Sequence, residues 1–273
     1  MNIRKEIHMS EFLKNTLEKI GYSLTDKQCE QFNTFHKLLC EWNEFMNLTG
    51  ITDYEEVVIK HFMDSLAVNC VYNFSENEKV VDIGTGAGFP GIPLKIAYPD
   101  IRITLLDSLN KRINFLNEVI DKTSLNIKTD NLQNMYHDSQ KVVITNSDLH
   151  IDDNNVETLH GRAEDYAKKK EYREQYDVCV SRAVANLATL SEYCIPFVKV
   201  GGVFISYKAG NLEEEINTSK NAIKLLGGKI EKVESIILPD TDIERTFVVI
   251  RKQEATKNKY PRKAGLPSKE PLK

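Results

Sequence analysis

The sequence predicts an α/β fold of the Rossmann-like type, with a mainly parallel seven-stranded sheet, an antiparallel last strand and additional N-terminal helices. Three observations predict it. From Lys79 onward, short runs rich in Val and Ile alternate with helical stretches, which is typical of a parallel sheet with right-handed crossovers. A glycine-rich loop follows the first of these runs. Two strand-like runs, KIEKVESIILP and ERTFVVIRK, then follow one another with no helix between them, which indicates antiparallel pairing.

Residues 1–75 form the predicted N-terminal helical segment. Thr25 and Gln28 have the spacing of a capping box, and Asp53 with Glu56 repeats a helix-start pattern. The helix after Thr25 places a set of apolar residues on one face, namely Phe32, Phe35, Leu39, Trp42 and Met46. His61 follows in the next helix, where we expect a structural role.

Residues 76–252 form the predicted sheet domain. Its first five strands correspond to KVVDIG, IRITLLD, a third strand before His160, YDVCVSRA and GGVFISYK, whose Val and Ile content is typical of strands buried on both faces. A segment rich in Asn and Asp at about 128–157 interrupts the pattern. We interpret it as a surface insertion and assign it no role.

Residues 253–273 form a basic tail that we expect to be flexible. The net charge is −4, yet from Arg251 to Lys273 eight Lys and Arg stand against two Glu. Local basic segments of this kind contact phosphates in nucleic-acid-binding proteins, although a solvated tail that aids solubility has the same composition.

Composition excludes several classes of protein. The 41% hydrophobic and 28% charged fractions are typical of a soluble globular protein, and no apolar run approaches the roughly 20 residues of a membrane span. The start, MNIRKEIHMSEF, lacks a signal-peptide core. Five cysteines without a CxxC pair indicate reduced thiols in a cytoplasmic protein with no metal site. We expect the protein to be a monomer and to have no membrane partner.

The glycine loop, VVDIGTGAGFPG at Val80–Gly91, indicates the kind of ligand. Its spacing lacks the Gly-Lys-Ser/Thr of a P-loop, and Pro90 and Pro93 reduce the N–H groups that a pyrophosphate needs. The loop with Gly84 and Gly86 therefore suits a ligand that carries no phosphate there. Asp107 ends the next strand, where a ribose-binding carboxylate belongs. A nucleoside without pyrophosphate indicates S-adenosylmethionine as the cofactor.

Asp82 ends the strand before the glycines. Ligands of open α/β sheets bind at the carboxyl ends of the strands, so Asp82 is expected either to organise the loop or to meet the methionine end of the cofactor. The residues alone leave both roles open.

The fourth strand, YDVCVSRAVANL, bears on the methyl acceptor. It carries no Asn/Asp-Pro-Pro-aromatic element of amine methyltransferases, and Cys179 lies mid-strand, where a thiol is buried and inert. A ring nitrogen such as guanine N7 needs neither device, because its lone pair is free and positioning supplies most of the acceleration. We therefore name no catalytic base.

Seven motifs carry a family resemblance, and they extend over nearly the whole chain apart from the insertion. They are WNEFMNLTGI, KHFMDSL, VDIGTGAGFPGIPLKI, LLDSLNKRINFLNE, HGRAEDYA, SRAVANL and KYPRKAGLPSKEPL. Together they resemble the bacterial small-subunit rRNA guanine-N7 methyltransferases, also called glucose-inhibited division protein B. The resemblance implies a cytoplasmic enzyme that uses S-adenosylmethionine to methylate N7 of one guanine in the decoding region of 16S rRNA, on free rRNA or the small subunit.

The resemblance also implies site residues. Cofactor contacts are implied for the glycine loop and for the strand ends after it, namely Gly84, Phe89, Asp107, Ser108, Ala163, Glu164 and Arg182. The last of these faces the transferred methyl group and the RNA, and a structural salt bridge is its alternative role. Two departures stand out: the insertion lengthens the interval from Asp107 to Glu164, and KAGLP has Leu266 where Thr commonly precedes the Pro.

For RNA we expect the tail residues Lys259, Arg262 and Lys263 to contact phosphates and Tyr260 to stack on a base, with Lys111 and Arg112 extending the patch. Removal of the chain beyond Lys252 is then expected to weaken RNA binding and leave cofactor affinity unchanged. The alternatives are a methyltransferase of proteins or small molecules, a nicotinamide-dependent oxidoreductase and a non-catalytic RNA-binding relative.

Overall fold

The computed structural model describes residues 3–126, 156–183, 185–210 and 212–273. A seven-stranded sheet has the order β3-β2-β1-β4-β5-β7-β6, and β7 is antiparallel to both of its neighbours while the other pairs are parallel. The predicted fold class is confirmed. The strands are β1 (Lys79–Ile83), β2 (Arg102–Asp107), β3 (Val156–His160), β4 (Tyr176–Ser181), β5 (Val198–Lys208), β6 (Gly228–Ile237) and β7 (Glu244–Lys252).

Helices cover both faces of the sheet. The third of them is continuous but changes its winding, from an α turn (Tyr54–Val57) through a π-helical segment (Val58–Met63) to a second α turn (Asp64–Leu66), and we call the whole of it α3. The others are α1 (Ile3–Glu18), α2 (Asp26–Met46), α4 (Gly91–Ala97), α5 (Asn110–Thr123), α6 (Ala163–Tyr166), α7 (Leu187–Cys194), α8 (Glu213–Leu225) and α9 (Leu266–Lys269).

The predicted helix starts are present. Thr25 caps α2 through the Gln28 N–H, and the Gln28 side chain returns to the Thr25 N–H, which completes the capping box. The Asp53 side chain caps α3 by accepting from the Glu56 N–H. The apolar face of α2 is buried as expected, except that Trp42 is only partly covered.

The strands divide their side chains between two cores. Val80 points to the side covered by the N-terminal helices, where it joins Phe32, Phe35 and Phe62, whereas its neighbour Val81 points to the side covered by α7 and α8. This alternation follows from the two-residue repeat of a strand. The N-terminal helices therefore share a core with the sheet.

The strand order reverses between β1 and β4, since β1 continues outward through β2 and β3 while β4 continues through β5. Ligands of open α/β sheets bind at such a switch point, outside the carboxyl ends of the strands. The glycine loop, Asp107, Glu164 and Arg182 follow or end β1, β2, β3 and β4 respectively, so all four belong to this edge of the sheet.

The basic tail is packed against the body, which corrects the expectation that it is flexible. Arg173 donates to the carbonyls of Thr256 and Tyr260 at 2.6 and 2.9 Å, and Glu174 accepts from the Thr256 N–H at 2.7 Å. The Tyr260 side chain is buried in the core beside α7. Composition indicated a solvated segment because the groups that hold it lie about 80 residues away in the sequence.

The predicted insertion at about 128–157 lies outside the described residues, apart from its last two positions, which belong to β3. In the part of the chain that the structure describes, none of the helices has both the length and the apolar character needed to cross a membrane.

Candidate active site

The glycines of the loop fall into two pairs with different tasks. A Cβ on Gly88 would lie 2.7 Å from the Ile92 side chain, and one on Gly91 would lie 2.3 Å from Leu105, so packing requires both, and Gly88 in addition has a φ of +90°. Gly84 and Gly86 have φ of +74° and +62°, yet a Cβ there would meet no atom closer than 3.6 Å. They are required by conformation and leave the backbone open to close approach.

Asp82 organises the helix that follows the loop. It is fully buried, and its Oδ2 accepts from the Gly91 N–H at 2.9 Å, at the start of α4. Burial raises the pKa of Asp82 to about 7. Of the two roles expected for this carboxylate, the contact within the protein is the organising one.

Asp107 ties the loop to the second strand. Its Oδ2 accepts from the Gly86 N–H at 3.0 Å and from Arg112 at 3.1 Å, and its Oδ1 accepts from the Leu109 N–H at 2.9 Å. A carboxylate has about four acceptor positions, so three are used by the protein and one is left for a ligand. Ser108, the next residue, is exposed at the rim.

Ala163 and Glu164 directly follow the third strand, which keeps its place beside β2 despite the predicted insertion. β3 pairs with β2 without a break, from Val156 opposite Ile103 to His160 opposite Asp107. Both residues are buried in the first turn of α6. The Glu164 Oε1 accepts from the Gly265 N–H at 2.8 Å, which joins the tail to this edge of the sheet.

Arg182, directly after β4, forms the salt bridge that was its alternative role. Its Nη1 lies 2.7 Å from Oδ2 of Asp64, and the Nε of Arg245 lies 2.5 Å from Oδ1 of the same carboxylate. Asp64 is 1% exposed, while the arginine side chains are 18% and 22% exposed. The Arg182 guanidinium also lies 5.0 Å from the ring centre of Phe89, within range of a cation–π interaction.

His61 completes this group. Its ring stacks on Phe89 with centroids 4.5 Å apart, and its Nε2 lies 2.9 Å from the Thr49 hydroxyl. Burial, together with the positive charge of Arg182, lowers the pKa of His61 to about 4. The imidazole is therefore neutral at physiological pH.

Sequence reasoning missed Asp64 and Arg245, and it gave His61 no place at the site. The sequence did offer one indication of the site. His61 and Asp64 are three residues apart in α3, which places them on the same face, and the two residues between them, Phe62 and Met63, are apolar. Arg245 had no indication of its own because it meets Asp64 across 181 positions of sequence.

Two of the residues expected to contact RNA are used by the protein itself. Tyr260 is 5% exposed, so its ring is not available to a base. Arg262 binds the fully buried Glu192, with Nη2 to Oε2 at 2.7 Å and Nε to Oε1 at 3.0 Å. The expectation that Tyr260 stacks on a base is therefore wrong, and Arg262 holds Glu192, while Lys259 and Lys263 are exposed.

Lys111 and Arg112 were expected to extend this basic patch. Arg112 instead supports Asp107, and the Lys111 ammonium lies 3.4 Å from the Met46 carbonyl. Among the residues with described positions, no three His, Cys, Asp or Glu side chains are grouped so that they could hold a metal ion.

Comparisons with known proteins agree with the resemblance of the sequence motifs. The family model described as rRNA small subunit methyltransferase G matches residues 28–146 and 142–244. The ribosomal RNA small subunit methyltransferase G of Lachnoclostridium phytofermentans is 48% identical over 256 residues, which cover 94% of each chain. The protein of the same name from Clostridium botulinum (strain Loch Maree / Type A3) is 46% identical over 96% of this chain and 98% of its own.

Among solved structures, M. jannaschii TYW2 in complex with AdoMet matches 70% of this chain and 76% of that chain, at 16% identity and a TM-score of 0.48. The family model and the curated relatives each span most of the chain, and they confirm the family that the motifs indicated. The chain belongs to the rRNA small subunit methyltransferase G family.

Proposed function

We propose that this protein transfers a methyl group from S-adenosylmethionine to N7 of a guanine in the decoding region of 16S rRNA, in the cytoplasm. Family membership over nearly the whole chain supports the reaction class. The observation that carries the site assignment is the convergence of four strand ends, where the open glycines lie with Asp107, Glu164 and Arg182.

The residues at this edge fit S-adenosylmethionine. The open backbone at Gly84 and Gly86 suits a ligand that lies against the main chain, and the remaining acceptor position of Asp107 suits a ribose hydroxyl, with Ser108 beside it. The Glu164 carboxylate after β3 suits the amino group of adenine. When bound, the cofactor supplies an electrophilic methyl group on a sulfonium.

The acceptor requires positioning rather than a base. N7 of guanine carries a free lone pair, so no proton is removed, and alignment of the ring supplies most of the acceleration. Arg182 and Arg245 are held by the buried Asp64 and present cationic groups that suit O6 of guanine and RNA phosphates. Because the methylated ring becomes cationic, a neutral His61 keeps one further positive charge away from it.

The experiment is transfer of a labelled methyl group to small-subunit particles and to free 16S rRNA, both prepared without this modification. The product is mapped by strand scission at N7-methylguanine. We expect label in a single guanine of the decoding region. Particles that already carry the modification are the matched control and should take up no label.

The outcomes separate the alternatives. Label in a protein or a small molecule, and none in rRNA, would replace the proposed substrate with another class of methyl acceptor. Cofactor binding without transfer to any of them would indicate a non-catalytic RNA-binding relative. Comparison of particles with free rRNA also shows which of the two is the substrate.

A further inference from the structure

The C-terminal tail packs against Glu164, the carboxylate that is proposed to bind the cofactor. Among its residues, 262–267 form a short segment that we call the strap, and the Gly265 N–H in its middle donates to Oε1 of Glu164 at 2.8 Å. Glu164 as a whole is 3% exposed, so a hydrogen bond to its carboxylate is little weakened by water. The strap and Glu164 are 101 residues apart in sequence.

One helix anchors the strap at both ends. At its start, Arg262 binds Glu192 of α7 through its side chain and donates its backbone N–H to the same carboxylate at 2.7 Å. At its end, the Pro267 carbonyl accepts from the hydroxyl of Thr189, also on α7, at 3.1 Å. Gly265 therefore lies between two residues that are held by α7, and its N–H reaches Glu164 in α6.

Gly265 is required by conformation and not by space. Its φ is +82°, in the left-handed region, and a Cβ there would meet no atom within 4 Å. A residue with a side chain fits sterically but disfavours this backbone angle. With the backbone in this left-handed conformation, the Gly265 N–H points toward Glu164.

We propose that the strap is a positioning element for cofactor binding: it holds one oxygen of Glu164 and leaves the other, Oε2, to accept from the adenine amino group. The inference rests on the proposed function of this edge of the sheet. Hydrogen bonds from supporting residues fix the orientation of binding groups in the same way in other sites. The C-terminal residues are then required for cofactor affinity, contrary to the expectation from sequence that truncation leaves it unchanged.

The first test compares two chain ends. A chain ending at Arg262 keeps the link to Glu192 but lacks Gly265, whereas a chain ending at Lys269 keeps the whole strap, and both lose the Arg262 contact with the Glu270 carbonyl. Affinity for S-adenosylhomocysteine and S-inosylhomocysteine is measured by calorimetry. The second ligand has a carbonyl oxygen in place of the adenine amino group.

We expect the chain ending at Arg262 to bind S-adenosylhomocysteine about tenfold more weakly and to lose much of its preference over the inosine analogue, because one charge-assisted hydrogen bond no longer orients Glu164. The chain ending at Lys269 should keep both the affinity and the preference. Equal affinity and equal preference in the two chains would overturn the proposal.

A pair of point variants tests the same contact in the full chain. Gly265→Ala strains the left-handed backbone, and Gly201→Ala imposes the same strain at φ +90° near the start of β5, also with no atom within 4 Å of the added Cβ. We expect cofactor affinity to fall about fivefold in Gly265→Ala only, although both variants lose a similar amount of stability. A similar affinity in both variants would contradict the proposal.

Glu164→Gln separates failure of the strap from failure of the site. If this substitution weakens cofactor binding and the Arg262 truncation then adds no further loss, the two act through one contact, as proposed. If the substitution weakens binding and the truncation adds its full effect, the strap does not act through Glu164 and the inference fails alone. If Glu164→Gln leaves affinity unchanged, the proposed adenine contact is wrong, and the strap proposal falls with it.

Discussion

Two buried acids hold arginines at this site in different ways. Asp64 is 1% exposed and binds two arginines, each through one nitrogen, whereas Glu192 is completely buried and binds one arginine through both oxygens. Arg262 also donates its backbone N–H to Glu192 and its Nη2 to the Glu270 carbonyl. Its backbone N–H and its side-chain nitrogens Nε and Nη2 are therefore engaged by the protein itself.

The difference shows that the role of a cation depends on how many of its donors the fold uses. In the described residues, Arg182 gives only Nη1 to an acceptor, so most of its guanidinium is left for a ligand. The sequence shows that both side chains are charged, but it does not show how many of their donors the protein itself uses. We therefore expect loss of Arg262 to reduce stability and loss of Arg182 to reduce activity.

The largest effect is expected for Arg262→Met. This change leaves Glu192 buried without a partner, so the free energy of unfolding should fall by about 3–5 kcal/mol in urea titrations. The double variant Arg262→Met/Glu192→Met removes both charges and should recover most of the loss. If the double variant is as unstable as the single one, Arg262 holds the tail through its packing and not through its charge.

The next effect is on catalysis. Arg182→Met should lower kcat/KM for methyl transfer by about 100-fold, which is about 2.7 kcal/mol of transition-state stabilisation, because the group proposed to face the reacting atoms is lost. The free energy of unfolding should change by no more than about 1 kcal/mol, since Arg245 still neutralises Asp64. A loss of stability as large as that of Arg262→Met would show that Arg182, like Arg262, has a structural role.

Much of the fold could be predicted because its determinants are local. The alternation of strand runs and helical runs, the capping box at Thr25 and the glycine loop each occupy short windows of sequence. Asp107 was placed by its position at the end of a strand. The cluster around Asp64 and the packing of the tail could not be predicted, because their ion pairs join residues 118, 181 and 70 positions apart.

The pH dependence of stability tests the group of residues around Asp64, because that group includes His61, whose pKa is lowered. Its pKa is about 4 in the folded protein and about 6.5 in an unfolded chain, so the unfolded state binds the proton first as pH falls. The stability that His61 contributes is present above pH 6.5 and is lost progressively toward pH 4. Between pH 7 and 5 the loss should be about 2 kcal/mol.

The measurement is the change in unfolding free energy between pH 7 and 5, for the native chain and for His61→Gln. Asp82 acts in the opposite direction, because its raised pKa of about 7 makes its contribution decline as pH rises. Asp82 is the same in both proteins, so the difference between them isolates the histidine. An identical pH dependence in both would show that His61 is not held neutral.

The smallest effect concerns the exposed tail lysines. The tail leaves β7 at the amino edge of the sheet and reaches Glu164 at the carboxyl edge through Gly265, so we expect Lys263, two residues before Gly265, to lie closer to the proposed RNA-binding edge than Lys259. Each phosphate contact contributes about one to the slope of log affinity against log salt. Lys263→Ala should therefore reduce the slope for RNA by about one, and Lys259→Ala by less.

The matched control is Lys224→Ala, since Lys224 is exposed in the last turn of α8, at the opposite edge of the sheet. RNA affinity is measured by filter binding between about 50 and 200 mM salt, a range over which phosphate contacts dominate the change. The control should leave the slope unchanged. Because Arg262 is bound by Glu192 while Lys263 is exposed, a response at Lys263 shows that adjacent basic residues divide between holding the tail and contacting RNA. If Lys263→Ala and Lys224→Ala behave alike, the tail serves the protein alone and the RNA contacts lie with Arg182 and Arg245.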